Sequence, residues 1–277
     1  MPRLLLMEGN IASKRKLGAE RGFRSSSEVY ALAIKAHFPE LTLDVVNAAD
    51  EDWAIPGGRS FADYDGMVIT GSSLHAYGKD FAVTNQIELV KKAGEAELPM
   101  FGSCWGLQIA VMAAGGLVEY NPKGMEVGFA RKILINDAGI SHPMFRDKPR
   151  VFDAPCIHYD EVTTLPEGAT LLASNDHSRV QAAVIPVGRS SVWAVQYHPE
   201  FDIRQLVQLY NLYADDMVSL GFFSDPDDLK AYVGRLEELS QNPKDQTLAW
   251  QLGIDEDIVD DRRRRLEIIN WIETCIH

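Results

Sequence analysis

Cysteine is scarce in this chain. Its 277 residues include three, Cys104, Cys156 and Cys275. Their spacing fits neither a disulfide framework nor a zinc site. Basic charge is short as well. Lys and Arg number 27 against 40 Asp and Glu, for a net charge of −13, which argues against nucleic acid as a partner. No stretch approaches the roughly 20 apolar residues of a membrane helix, so no membrane partner is expected. The apolar run at Leu4, Leu5, Leu6 and Met7 is too short for a secretory signal and reads better as a first buried strand. No internal repeat is visible. These absences leave a cytoplasmic protein. Its 46% hydrophobic content is ample for the core of one large domain, or of one domain with an appendage.

What is present alternates. Residues 4–8, 41–47, 64–70 and 98–101 read as short buried strands, and 25–37 and 81–95 as helices between them. Ser25 to Ser27 offer N-caps and Glu28 falls in the first turn. This rhythm predicts a doubly wound α/β fold with a mainly parallel sheet. Beyond Gly116 the pattern changes to strands joined by turns, over 126–136, 150–162, 170–175, 180–186 and 191–197. They predict an antiparallel extension, closed by a helix over 201–220. Residues 221–277 form a helical C-terminal appendage with helices over 226–239, 245–252 and 256–276. Its run Arg262 to Arg265 follows Asp255, Glu256, Asp257, Asp260 and Asp261, so it reads as a solvated helix face. Leu266, Ile269 and Ile272 make an apolar stripe that covers its own domain or forms a homodimer contact.

Two motifs carry chemistry. Gly102-Ser103-Cys104-Trp105-Gly106 lies between the strand at 98–101 and a helix-like run through Leu107, Ile109, Ala110, Val111 and Ala114. A small-x-nucleophile-x-small turn there is a nucleophile elbow. It would hold Cys104 at the carboxyl edge of a sheet, where a helix N-terminus stabilises a thiolate. Taken alone, the elbow also fits a buried structural cysteine. The second motif is His198-Pro199-Glu200, at the end of the strand 191–197. A thiolate nucleophile needs an imidazole to move protons, and the imidazole needs a carboxylate to fix its tautomer. Cys104, His198 and Glu200 supply all three. Asp160 is the alternative acid.

With Gly102 to Gln108, Glu126-Val127-Gly128, His158-Tyr159-Asp160-Glu161-Val162 and His198-Pro199-Glu200 in this order, residues 3–218 resemble a class I, triad-type glutamine amidotransferase domain. The likeness is to the amidotransferase half of GMP synthase and to free-standing gamma-glutamyl peptidases. It implies a flavodoxin-like fold, an amidotransferase domain over 1–220 and an extension over 221–277. It also implies hydrolysis of a gamma-glutamyl amide through a cysteinyl thioester, with no metal or organic cofactor. The oxyanion donors become the backbone N–H groups of Trp105 and Gly71. The turn Thr70-Gly71-Ser72-Ser73 departs from the family's Gly-Gly-Pro. Gln108, the backbone around Ile157, His158 and Tyr159, and Asp160 become the substrate pocket, with His75 and Tyr77 on its rim.

Nothing in the chain resembles the phosphate-binding loop of a synthetase. Two readings follow: a glutaminase that hands ammonia to a separate acceptor or synthetase chain, or a stand-alone hydrolase of gamma-glutamyl peptides or amides.

Overall fold

The computed structural model describes residues 1–276. Eleven strands and twelve α-helices follow one another along the described residues. The first half alternates: β1 Arg3–Met7, α1 Ala12–Glu20, α2 Ser26–Lys35, β2 Thr42–Val46, β3 Gly66–Ile69, α3 Phe81–Glu95, β4 Met100–Ser103 and α4 Trp105–Ala113. Strands then dominate: β5 Leu117–Tyr120, β6 Glu126–Ile135, the short α5 Asp137–Ile140, β7 Val151–His158, β8 Asp160–Thr164, β9 Thr170–Ser174, β10 Ala182–Val187 and β11 Ser190–Val195. The chain finishes in helices: α6 Ile203–Leu212, α7 Ala214–Ser219, α8 Pro226–Gln241, α9 Gln246–Gln251, α10 Glu256–Val259, α11 Asp261–Arg264 and α12 Leu266–Cys275.

Nine strands make one sheet in the order β2-β1-β3-β4-β11-β10-β9-β6-β7. From β2 to β11 neighbouring strands run parallel, and from β11 to β7 antiparallel. β5 and β8 pair separately as an antiparallel ribbon. Strand residues alternate between two faces. Leu5, Met7, Met67, Ile69 and Met100 pack under α3 and α4. Leu4, Leu6, Val68 and Phe101 pack on the opposite side against Tyr30 and Ile34 of α2 and Ile268, Trp271 and Ile272 of α12. The predicted architecture of a parallel sheet with an antiparallel extension and a helical C-terminal region is the one observed.

Local chemistry explains where helices begin. Ser25 caps α2 in a capping box with Glu28, and Asp80 caps α3 by accepting from the Val83 N–H. Two elements escape a pattern-based reading. α1 has no buried residue, so it leaves no apolar period. β5 buries one residue in four. Three expected elements are divided. The stretch 150–162 breaks at Tyr159 because β7 and β8 belong to different sheets. The helix 201–220 breaks at Tyr213. The helix 256–276 becomes three, since Asp260 turns extended and caps α11 through the Arg263 N–H, and Arg265 leaves helical geometry before α12.

The C-terminal helices pack on the rest of the chain in two places. Leu229, Val233, Leu236 and Leu239 of α8 join Leu206, Val207 and Tyr210 of α6. α12 closes the sheet face beside α2 through Ile268, Trp271 and Ile272, and the stripe Leu266, Ile269 and Ile272 is buried rather than exposed. Glu267 anchors this contact. Its carboxylate accepts from Tyr197 Oη at 2.6 Å and pairs with the buried Lys148 at 3.0 Å. No described helix is long and apolar enough to cross a membrane.

Candidate active site

β4 and β11 are parallel neighbours, with Ser103 opposite Val195. Their carboxyl ends therefore release residues 104 and 198 side by side. Cys104 sits between β4 and α4 with φ 50° and ψ −101°, a region that non-glycine residues enter at a cost and that marks functional turns. Its N–H donates to Val195 O at 2.8 Å, which ties the elbow to the strand carrying His198. The flanking glycines leave the room this turn needs. A Cβ on Gly102 would lie 2.8 Å from the Gly106 carbonyl carbon, and one on Gly106 2.7 Å from Ile69 O. The Cys104 thiol points at the β7–β8 crossing and reaches Ile157 O at 3.4 Å.

His198 is held on three sides. Nδ1 lies 2.7 Å from Glu200 Oε1. One ring face stacks on Phe201, with centroids 4.0 Å apart and 8° between planes. A Cβ on Gly71 would come within 2.9 Å of Cε1. The ring is buried and its Nε2 has no hydrogen-bond partner. Burial works against a charge on this imidazole. The adjoining Glu200 and then Cys104 outweigh it and raise His198 from 6.5 to about 10. The acid beside His198 is thus Glu200. Asp160 faces the other way, with Oδ2 2.7 Å from His75 Nδ1 and Oδ1 3.3 Å from Tyr77 Oη.

Trp105 follows Cys104 in the chain, and Gly71 lies against the His198 ring. Trp105 opens α4, and its indole donates to Gln86 at 2.7 Å, which fixes the start of the helix. Gly71 ends the turn after β3, with its carbonyl oxygen 2.8 Å from where a Cβ on Gly9 would stand. Among the described residues, the backbone N–H groups of Gly71 and Trp105 reach no protein acceptor.

The remaining predicted residues divide. Ile157 contributes its carbonyl at the thiol. Gln108 is buried on the first turn of α4, and its Nε2 donates to Asp160 O at 3.3 Å and Gln196 Oε1 at 3.4 Å. His158 is enclosed. Nε2 meets Glu126 at 2.8 Å and Nδ1 meets Asp160 O at 3.0 Å. Gln181 and Asn175 also donate to Glu126. His158 thereby braces β7 on β6, with neither ring nitrogen left for a ligand. Tyr159 Oη reaches Asp216 at 3.4 Å, and burial raises the Tyr213 phenol. His75 and Tyr77 both meet the buried Asp160 carboxylate. Among the described residues no lysine or arginine pairs with either aspartate.

Three residues around His198 and Glu200 went unread in the sequence: Phe201, Ser103 and Tyr30. Phe201 lies three residues past His198, and Ser103 borders the nucleophile, so proximity in the chain is a usable signal for both. Tyr30 lies 73 residues from Ser103 on α2, and no local pattern marks it.

Comparison with known proteins gives the family and the fold. The family model described as glutamine amidotransferase class-I matches residues 30–210. A gamma-glutamyl-L-1-hydroxyisopropylamide hydrolase from a Pseudomonas species is 31% identical over 281 residues, covering 99% of this chain and 93% of that protein. A GMP synthase (glutamine-hydrolyzing) from Thermosipho africanus is 36% identical over 134 residues, 48% of this chain and 24% of the synthase. Among solved structures, a glutamine amido transferase from Methylobacillus flagellatus shares the fold at a TM-score of 0.67 and 17% identity, covering 100% of this chain and 95% of that one.

Proposed function

Because this chain belongs to the class I glutamine amidotransferase family, whose reaction is hydrolysis of a gamma-glutamyl C–N bond, we propose that Cys104, His198 and Glu200 carry out that hydrolysis and that the enzyme works alone on a gamma-glutamyl amide. The observation that carries the site assignment is the juxtaposition of the strained Cys104 elbow with a buried His198 whose Nδ1 is 2.7 Å from Glu200.

The chemistry follows from the atoms. The raised proton affinity of His198 favours a thiolate–imidazolium pair. The Cys104 sulfur attacks the gamma-carbonyl carbon. A C–S bond forms and the carbonyl oxygen takes up negative charge. The N–H groups of Trp105 and Gly71 receive that charge; fixed donors of this kind are worth about 3–4 kcal/mol each at the transition state. His198 gives its Nε2 proton to the departing nitrogen, and the C–N bond breaks. Water then loses a proton to His198 and adds to the thioester, releasing glutamate and restoring the pair.

In this reading residues 1–220 are the catalytic unit and 221–277 a helical brace. The free thiols Cys104, Cys156 and Cys275 suit a reducing, cytoplasmic compartment. Independence is supported by the likeness to the Pseudomonas hydrolase, which runs through the tail, whereas the likeness to GMP synthase spans 24% of that protein. The test is release of amine from gamma-glutamyl amides beside release of ammonia from glutamine, with purified protein and no ATP. Turnover of the amides by wild type, and none by Cys104→Ala, is the expected result. A Cys104→Ala variant that keeps its activity overturns the site assignment. Activity on glutamine alone, appearing only when an acceptor chain is added, transfers the protein to the ammonia-donor reading.

A further inference from the structure

Behind the Glu200 carboxylate lies a buried chain of hydroxyls. Ser103 Oγ donates to Glu200 Oε1 at 2.9 Å. That oxygen is also the one 2.7 Å from His198 Nδ1. Tyr30 Oη in turn donates to Ser103 Oγ at 2.6 Å. Tyr30 and Ser103 are fully buried and Glu200 nearly so, and Glu200 Oε2 has no partner. The carboxylate is therefore oriented through one oxygen by two donors, His198 on one side and the Ser103 hydroxyl on the other. We infer that Tyr30 and Ser103 are positioning residues that hold Glu200 aimed at His198.

The chain has a direction. Tyr30 can only donate here, because Ser103 spends its own proton on Glu200. Burial, and after it the charge of Glu200, holds the Tyr30 phenol well above its usual range, so its proton stays in place at working pH. A hydroxyl whose oxygen accepts a proton donates its own more strongly. Ser103 is also the residue before the nucleophile. The same peptide that sets the strained Cys104 elbow thus sets the acid of the pair, and the spacing between the two is fixed within β4.

This inference rests on the triad reading, and its effects on the pH profile separate it from mere packing. Without the Ser103 donor, Oε1 has His198 as its one remaining partner and holds the His198 proton more firmly. The alkaline limb of kcat/KM should move to higher pH in Ser103→Ala, by about one unit, with kcat down about tenfold or more and KM unchanged. Tyr30→Phe, which deletes one oxygen, should shift that limb the same way by less. Ser103→Thr, which keeps a hydroxyl, should leave it near the wild-type position. Cys104→Ala and Glu200→Gln are assayed beside these. If either retains wild-type activity, the triad reading itself fails. If both lose activity while Ser103→Ala and Tyr30→Phe keep the wild-type limb, the positioning role is overturned and the triad stands.

Discussion

The ion pair at Glu267 invites a quantitative trial. Both charges are buried, Lys148 at 1% and Glu267 at 0% side-chain exposure. Glu267 accepts from Tyr197 at 2.6 Å and from Lys148 through both oxygens, at 3.0 and 3.1 Å. Lys148 has two further supports, Arg263 O at 2.9 Å and the face of Phe152 at 4.6 Å. Glu267→Gln keeps the volume, so no cavity forms; what it removes is the charge opposite Lys148. Breaking a buried pair from one side costs about 3–5 kcal/mol, a large share of the roughly 5–15 kcal/mol that stabilises a typical protein. With a urea slope of about 3 kcal/mol/M, the midpoint should fall by about 1–1.7 M. Removing both charges in Glu267→Gln/Lys148→Met should restore most of that loss, since an apolar replacement of a buried pair is often close to neutral. Equilibrium urea unfolding of the wild type, both single variants and the double variant provides the measurement. A midpoint drop under about 0.3 M for Glu267→Gln, or a double variant no better than the single, would refute the reasoning.

Other expectations concern the site. A diazoketone analogue of glutamine should label Cys104 and spare Cys156, which is wholly enclosed and whose thiol is pushed far up by burial and then by Glu126; peptide mapping that finds the label on Cys156 with activity lost would sink the nucleophile assignment. His198 is raised from 6.5 to about 10, so the stability it contributes is full below about 6.5 and lost as pH rises through about 10. Activity should decline over the same alkaline range, and Glu200→Gln should move that limb down toward 6.5; a limb that stays put would show that Glu200 does not govern His198. Gly71→Ala places a methyl 2.9 Å from His198 Cε1, and a ring pinned by Glu200 and Phe201 has little room to yield. Activity should fall at least tenfold with a small change in melting temperature, and an unchanged kcat would remove Gly71 from the site.

Much of this arrangement is legible in the sequence where the signal is local. Gly102 to Gly106 declares the turn at Cys104, and His198 with Glu200 two residues on declares a hydrogen bond that an extended strand end brings within reach. Sheet and helices follow from apolar period, because β1, β3 and β4 are buried on both faces and α3 is amphipathic. What escapes depends on distant partners. Tyr30 reads as an ordinary apolar position of α2, and only the packing of α2 under β4 gives its hydroxyl a purpose. His158 sits in a recognisable motif, yet its imidazole is spent on Glu126 from another strand. The apolar stripe of the last helix predicts burial without naming the surface that buries it; of its three residues Ile272 packs in the cluster with Phe101 and Val68, beside Ile268 and Trp271.

The excess of acidic residues also bears on how substrates arrive. A net charge of −13 sets a field that repels anions approaching the molecule. A gamma-glutamyl group carries one ammonium and one carboxylate, so an amide of a neutral amine diffuses in without net charge. A gamma-glutamyl peptide brings an additional carboxylate on its leaving side and travels uphill. Encounter rates of the two should therefore diverge at low ionic strength and converge as salt shortens the screening length to about 10 Å at 0.1 M. Charge alone would then sort substrates before any of them touches the thiol, by a field that ordinary buffer salt can turn down.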